Sequence, residues 1–168
     1  MVTTIAGHHW EDPVDITELF STKIKVLDPA IPICITTGTP LRAVVTTLQE
    51  KRIGCALVTE NDELVGIITE RDLTFRVLGF DVDLDNTTVD DHMTRDPESL
   101  NPETPIAWAL NRMKLGGYRH VPLVDENNHP VGIISVKDIV HWLVDEFPDA
   151  ILNLPPEPQV YGTSREGA

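Results

Sequence analysis

Apolar and polar positions along this chain trace one pattern twice. Leu41, Val44, Val45 and Leu48 fall three and four residues apart, the spacing of a helix with one buried face. Ile106, Ala109, Leu110 and Met113 repeat that spacing 65 positions later. Each helix is preceded by Thr-Pro (Thr39-Pro40 and Thr104-Pro105), which predicts Thr as the N-cap and Pro as the first helical residue. A short extended segment stands before each pair, Ile33–Thr36 in one copy and Ser99–Asn101 in the other. Two apolar runs follow each helix: Cys55–Val58 and Val65–Ile68, then His120–Val124 and Val131–Ile134. The polar stretches between the runs, Glu60–Glu63 and Glu126–His129, read as hairpin turns. A second helix closes each copy, with Leu73, Val77 and Leu78 in the first and Ile139, Val140, Leu143 and Phe147 in the second.

The closing segments agree residue by residue. Val65–Leu73 reads VGIITERDL and Val131–Ile139 reads VGIISVKDI. So many ordered matches mark an internal duplication, the first thing to seek in a sequence of this kind. The offset grows from 65 to 66 between the helix and this segment, and the extra residue is expected near Pro122. The predicted fold class is α+β: two β-α-β-β-α repeats packed sheet to sheet as a pseudo-twofold pair. The expected division is an N-terminal segment 1–23, repeat one 24–79, a linker 80–88, repeat two 89–145 and a Pro-rich C-terminal arm 146–168. A short helix is expected near Ile16–Phe20. A unit of about 60 residues is marginal alone, and two sharing a core are not.

Charge narrows the possible partners. The 168 residues carry 27 Asp and Glu against 13 Lys and Arg, a net charge of −14. Such a chain repels nucleic-acid backbones and anionic membrane surfaces, so neither is expected as a partner. A small anionic ligand needs only a local basic patch and is not excluded. Aromatics are 5% of residues, so the core must be built mostly of Val, Ile, Leu and Ala. Cys34 and Cys55 have neither redox nor zinc-ligand spacing and sit in apolar stretches, as small hydrophobes. With no recognisable signal peptide at the N-terminus, the expected location is the cytoplasm.

The closing motif has two readings. As a helix start, Thr69-Glu70-Arg71-Asp72 and Ser135-Val136-Lys137-Asp138 approximate capping boxes. As a ligand site, the helix N-terminus and the Thr69 or Ser135 hydroxyl suit phosphate, and Asp72 or Asp138 suits the two hydroxyls of a ribose. Arg71 grips phosphate in a bidentate manner, whereas Lys137 acts as a point charge. Other constellations carry less. Asp81, Asp83 and Asp85 alternate as in a calcium loop, but Asn86 and His92 replace the required Gly and Glu. His8, His9 and His92 form no metal-ligand spacing, and no catalytic nucleophile motif is present, so the chain reads as a non-enzyme without metal or cofactor. Trp108, on the first helix of repeat two, is expected to be partly exposed and available to an oligomer contact.

The repeated G-I-I-[TS]-x-[RK]-D motif, closing a helix and hairpin in both copies, resembles the CBS domain. Two in tandem resemble a CBS pair, or Bateman module, and the resemblance covers residues 24–145. It implies a disc-shaped pair, a homodimer of discs in parallel or antiparallel arrangement, and adenine nucleotides or related adenosyl ligands in the clefts between repeats. It implies AMP, ADP or ATP as ligand and a separate, unknown regulated protein as partner. One site would join Ile67, Thr69, Arg71 and Asp72 to Thr104, Ala109, Arg119 and His120 of the second copy, with Arg95 reaching the phosphates. The other would join Ile133, Ser135, Lys137 and Asp138 to Thr39, Val44, Gly54 and Cys55. The first has more base and is expected to take the more phosphorylated ligand, or to bind more tightly. The competing expectation is a ligand-free module for dimerisation and interaction.

Overall fold

The computed structural model describes residues 21–146. The expected helix near Ile16–Phe20, Phe147 and the Pro-rich arm lie outside the described residues. Repeat one holds strand β1 (Cys34–Thr36), helix α1 (Leu41–Lys51), the hairpin β2 (Cys55–Glu60) and β3 (Glu63–Thr69), and helix α2 (Glu70–Arg76). A two-residue strand, β4 (Thr94–Arg95), leads to helix α3 (Ile106–Gly116), the hairpin β5 (His120–Val124) and β6 (Pro130–Ser135), and helix α4 (Val136–Glu146). The fold is α+β with two sheets, ordered β1-β2-β3-β4 and β5-β6. Three-residue-and-four spacing buries one face of each leading helix: Leu41, Val44 and Leu48 in α1, and Ile106, Ala109 and Met113 in α3. The first hairpin turns on Asn61 and Asp62, both at positive φ, the tight turn whose twist matches its strands.

The two repeats exchange their leading arms. Ile24, in a 3-10 turn (Ile24–Leu27) ahead of repeat one, is fully buried in the core of repeat two beside Ile106, Leu123 and Ile139. Val89, in a 3-10 turn (Val89–Asp91) ahead of repeat two, is fully buried in the core of repeat one beside Val44, Val58 and Ile68. Backbone bonds follow the same exchange. Ile24 N–H donates to Thr104 O and Ile106 N–H to Thr22 O, both at 2.9 Å. Val89 N–H donates to Thr39 O and Leu41 N–H to Thr87 O, again at 2.9 Å. Beyond the turns, β4 joins the sheet of repeat one through Gly66 and Ile67, and Ala30 bridges Ile133 of repeat two.

This exchange changes three sequence expectations. Thr39 and Thr104 do not cap the leading helices; Pro40 and Pro105 occupy the N-cap positions, and neither helix has a side-chain cap. The arm supplies the acceptors instead, with Arg42 N–H bonded to Leu84 O at 3.0 Å besides the Leu41 bond. Thr39 turns its hydroxyl to Thr36 O at 2.6 Å. The extra residue of repeat two lies in its hairpin loop, not at Pro122: Pro122 pairs Ile133 as Leu57 pairs Ile67. Pro122 has a consequence of its own. Leu57 N–H donates to Ile33 O, a bond that proline cannot make, and the expected strand Ser99–Asn101 shrinks to a bridge between Leu100 and Leu123.

Two smaller differences concern α2 and the cysteines. Helix α2 stops at Arg76, so Val77 caps it from the core while Leu78 is exposed. Cys55 is buried, whereas Cys34 is exposed on β1. Between the sheets lies a shared layer in which Cys55, Leu57, Leu64 and Ile67 meet Val124 and Ile133. Asn128 ties the layer at its rim: its N–O bonds to Leu64 run both ways, Leu64 N–H to Asn128 O and Asn128 Nδ2 to Leu64 O, each at 2.9 Å.

Glycine is required where an exchanged arm crosses β3. A Cβ on Gly66 would stand 2.3 Å from Met93 Sδ. Ile24→Ala should remove about 2–5 kcal/mol of stability, the usual cost of emptying a well-packed aliphatic site. Hydrogen exchange should place the lost protection in α3 and β5 rather than in α1; loss confined to repeat one would contradict the exchange.

Candidate functional site

Helix α2 begins at a complete capping box. Thr69 is extended (φ −123°, ψ 161°), and its Oγ1 accepts the Asp72 N–H at 3.2 Å. Asp72 Oδ2 in turn accepts the Thr69 N–H at 3.0 Å and its hydroxyl at 2.6 Å. The second repeat reproduces this: Asp138 Oδ2 accepts Ser135 N–H at 2.7 Å and Oγ at 2.8 Å. A further first-turn donor is met by the residue just before the hairpin, Glu70 N–H to Gly54 O at 3.0 Å and Val136 N–H to Arg119 O at 3.1 Å. The Thr69 and Ser135 hydroxyls are therefore committed to their own caps. Asp72 keeps open lone pairs, since a carboxylate has about four acceptor sites and Oδ2 uses two.

A cavity of about 390 Å³ opens beside the first capping box. One wall is Ile67, Thr69, Arg71 and Asp72 of repeat one; the opposite wall is Gly117, Tyr118, Arg119 and His120 of repeat two. Its size is that of a small-molecule site, about 300–1,000 Å³. Six residues expected at the first site from the sequence line it: Ile67, Thr69, Arg71, Asp72, Arg119 and His120. Three do not. Ala109 is fully buried in the core of repeat two, on the apolar stripe of α3. Thr104 is held by the exchanged arm, its carbonyl bonded to Ile24. Arg95 pairs with Gly66, while its neighbour Thr94 pairs with Ile67. Strand alternation therefore puts Thr94 on the cavity side and Arg95 on the other, where Nη2 donates to Asp90 O at 2.9 Å.

Of the residues expected at the second site, Gly54 alone lines this cavity. Val44 and Cys55 are buried in cores. Thr39 is turned to Thr36. Ile133 packs in the layer between sheets, Lys137 is exposed, and the Ser135–Asp138 cap lines neither this cavity nor the groove between α1 and α2. That groove is shallow, lined by Val45, Leu48 and Leu73 with Arg52 and Glu70.

Several cavity residues escaped the sequence reading. Asp96 and Glu98 follow β4 and join the cavity because the chain turns sharply at Asp96 (φ 44°). Glu98 accepts the Tyr118 hydroxyl and pairs with Arg112 Nε at 2.9 Å. Arg112 also lies 5.3 Å from the ring centre of Trp108, which is half exposed as expected. Burial and the Glu98 carboxylate push the Tyr118 phenol up to about 12. Arg76 completes the set, with Nη1 on His92 O at 2.9 Å and 3.4 Å from Asp72 Oδ1. The i to i+4 position of Arg76 after Asp72 was the available signal.

Electrostatics revise the expected base count. Arg71 Nη1 donates to Gly117 O at 2.7 Å across the cavity mouth, fastening the two walls. Arg119 is exposed, and its guanidinium has no hydrogen-bond or ion-pair partner among the described residues. Burial holds the His120 imidazole below its ordinary value; Arg119 pushes the same way, and Asp138 and Glu70 oppose. His120 is thus neutral at pH 7 and adds no charge to the site.

Comparison with known proteins follows this geometry. A family model for the CBS domain matches residues 25–79 and again residues 89–145. The chain belongs to the CBS domain family. An uncharacterised 17.7 kDa protein of the archaeon Acidianus ambivalens is 28% identical over 131 residues, covering 77% of this chain and 73% of its relative. Inosine-5′-monophosphate dehydrogenase of Thermoplasma acidophilum is 34% identical over 116 residues, covering 69% of this chain and 22% of the enzyme. The chain spans only 18% of a CBS domain-containing protein of Arabidopsis thaliana that it also matches, at 34% identity over 58% of its own length. Among solved structures, a CBS domain protein of Pyrobaculum aerophilum complexed with AMP superposes with a TM-score of 0.67 at 23% identity, covering 76% of this chain and 99% of that one. The CBS domain pair of protein MJ0100, complexed with 5′-methylthioadenosine and S-adenosyl-L-methionine, gives 0.64 at 22% identity, covering 73% and 99%. The fold of this chain is that of a tandem CBS pair. Among the described residues, no helix is long and apolar enough to cross a membrane.

His120 gives a direct check on the site. Its ring should titrate below 6.5 in a proton–nitrogen NMR titration, and Arg119→Ala should move that midpoint upward without restoring it, because burial is the larger cause. The unfolded chain then binds the extra proton first, so His120 lowers stability as pH falls below 6.5. A midpoint above 6.5 would contradict the buried, neutral ring.

Proposed function

We propose that this CBS pair is a regulatory module that binds an adenosyl ligand in the cavity between its repeats and signals to a separate partner protein. The observation that carries the reading is that Asp72 of one repeat and Arg119 of the other line the same cavity. Asp72 offers a mostly buried carboxylate with free lone pairs, held rigidly by its cap. Such a group suits a pair of ribose hydroxyls. Arg119 offers an uncommitted guanidinium from the facing repeat, suited to a phosphate. Ile67 supplies an apolar surface for a base. The AMP and S-adenosyl-L-methionine complexes of structural neighbours support this class of ligand.

A regulatory rather than catalytic role fits the chemistry of the cavity. Its Thr69 hydroxyl and Asp72 carboxylate are bound to each other in the cap, and the Cys55 thiol, pushed up to about 12 by burial, is not among the described residues that line it. The bond from Arg71 to Gly117 O joins the two repeats at the cavity mouth and couples their positions. A ligand held by Asp72 of one repeat and Arg119 of the other would change the tilt between repeats, and a partner sensitive to the tilt would read it. The expected cytoplasmic homodimer belongs to the same proposal, with half-exposed Trp108 as a candidate contact.

Calorimetry with AMP tests the reading. Arg119→Ala should weaken binding about tenfold or more, the loss of one charge-assisted contact, and leave the thermal midpoint nearly unchanged. Asp72→Ala should abolish binding, at a further cost of about 1 kcal/mol in stability from the broken cap. Asp138→Ala should cost similar stability and leave AMP binding at this cavity intact. Equal loss of binding from the two Asp variants, or none in the wild type, would refute the assignment.

A further inference from the structure

The charges around the cavity select among adenosyl ligands. Two carboxylates are already answered: Asp72 by Arg76 at 3.4 Å, and Glu98 by Arg112 at 2.9 Å. What remains is Arg71 and Arg119 against Glu70 and Asp96, a sum of zero. The neutral imidazole of His120 does not tip that sum. Arg95, which would have made it positive, is on the opposite face of β4. The backbone at the start of α2 offers a phosphate chain one open first-turn donor, the Arg71 N–H, because Gly54 O and Thr69 Oγ1 take the Glu70 and Asp72 N–H groups. One of the two remaining guanidiniums, Arg71, is itself engaged with Gly117 O.

A ligand phosphate group carries about −1.5 to −2 charge at neutral pH, and a triphosphate about −4. One phosphate is matched by Arg119 alone. A triphosphate would need cations this cavity does not hold, and would bring its outer phosphates to the rim where Asp96 stands exposed. Like charges at that range repel, and the cavity walls screen them less than water does. Resting on the adenosyl-ligand reading, we infer that this cavity takes an adenosyl ligand with one phosphate or none and discriminates against nucleoside triphosphates, Glu70 and Asp96 being the residues that exclude the longer phosphate chain.

The test is calorimetry on the full chain at pH 7.5 without divalent metal, using adenosine, AMP and ATP. AMP should bind at least about tenfold more tightly than ATP. In the double variant Glu70→Gln, Asp96→Asn the ATP-to-adenosine affinity ratio should rise about tenfold or more; Asn suits the positive φ at position 96, so the turn is kept. Binding of ATP as tight as AMP, or a ratio that the double variant leaves unmoved, would overturn this inference and leave the adenosyl reading standing. Failure of all three ligands to bind would overturn both.

Discussion

The structure rests on a reciprocal exchange of short arms. Neither repeat completes its own core: Ile24 fills the second and Val89 fills the first. Each arm also supplies the carbonyl groups that accept the opening N–H groups of the leading helix opposite. A buried aliphatic side chain and a set of helix-end hydrogen bonds are thus shared between units that would each be marginal alone. The helix ends can dispense with side-chain caps because the arms replace them, and proline is tolerated at the N-cap because its missing N–H is not needed there.

The candidate site is a by-product of that exchange. Once β4 lies against β3, the chain leaving it must cross the gap between repeats, and it lays Asp96 and Glu98 along the cavity rim. The facing wall comes from the turn after α3, where Gly117 adopts positive φ (68°) and Gly116 leaves room for the Tyr118 ring. Repeat one has Arg52 at the matching helix end and Gly54 where repeat two has Arg119. The pseudo-twofold relation is therefore good for the backbone and poor for the chemistry. The cavity receives a cation, Arg119, from the facing repeat; the position that matches it in repeat one is Gly54.

Much of the fold was readable from residue order. The two helical stripes, the hairpins, the capping boxes at Thr69 and Ser135 and the duplication itself all rest on local rules, and the structure keeps them. The strand at Ser99–Asn101 failed because Pro122 removes a donor from its neighbour, an effect seen only once the two segments are adjacent. Thr69, Arg71, Asp72, Arg119 and His120 line one cavity, and they were legible as a group because the closing motif is one contiguous run and the facing turn another. Ala109, Val44 and Cys55 were not distinguishable from cavity residues by type, since an apolar residue serves a core and a ligand base equally well.

Order and spacing along the chain settled what each repeat is, because helix and strand periods are local properties of the backbone. They settled the cap that presents Asp72, for the same reason. Which arm enters which core was decided only in three dimensions, because Ile24 and Val89 are equally apolar and each reaches across to a partner distant in sequence. The charge of the cavity was decided there too. Counting arginines along the chain made it basic; the pleat of β4 turned Arg95 away, the turn at Asp96 brought a carboxylate in, and burial kept His120 neutral.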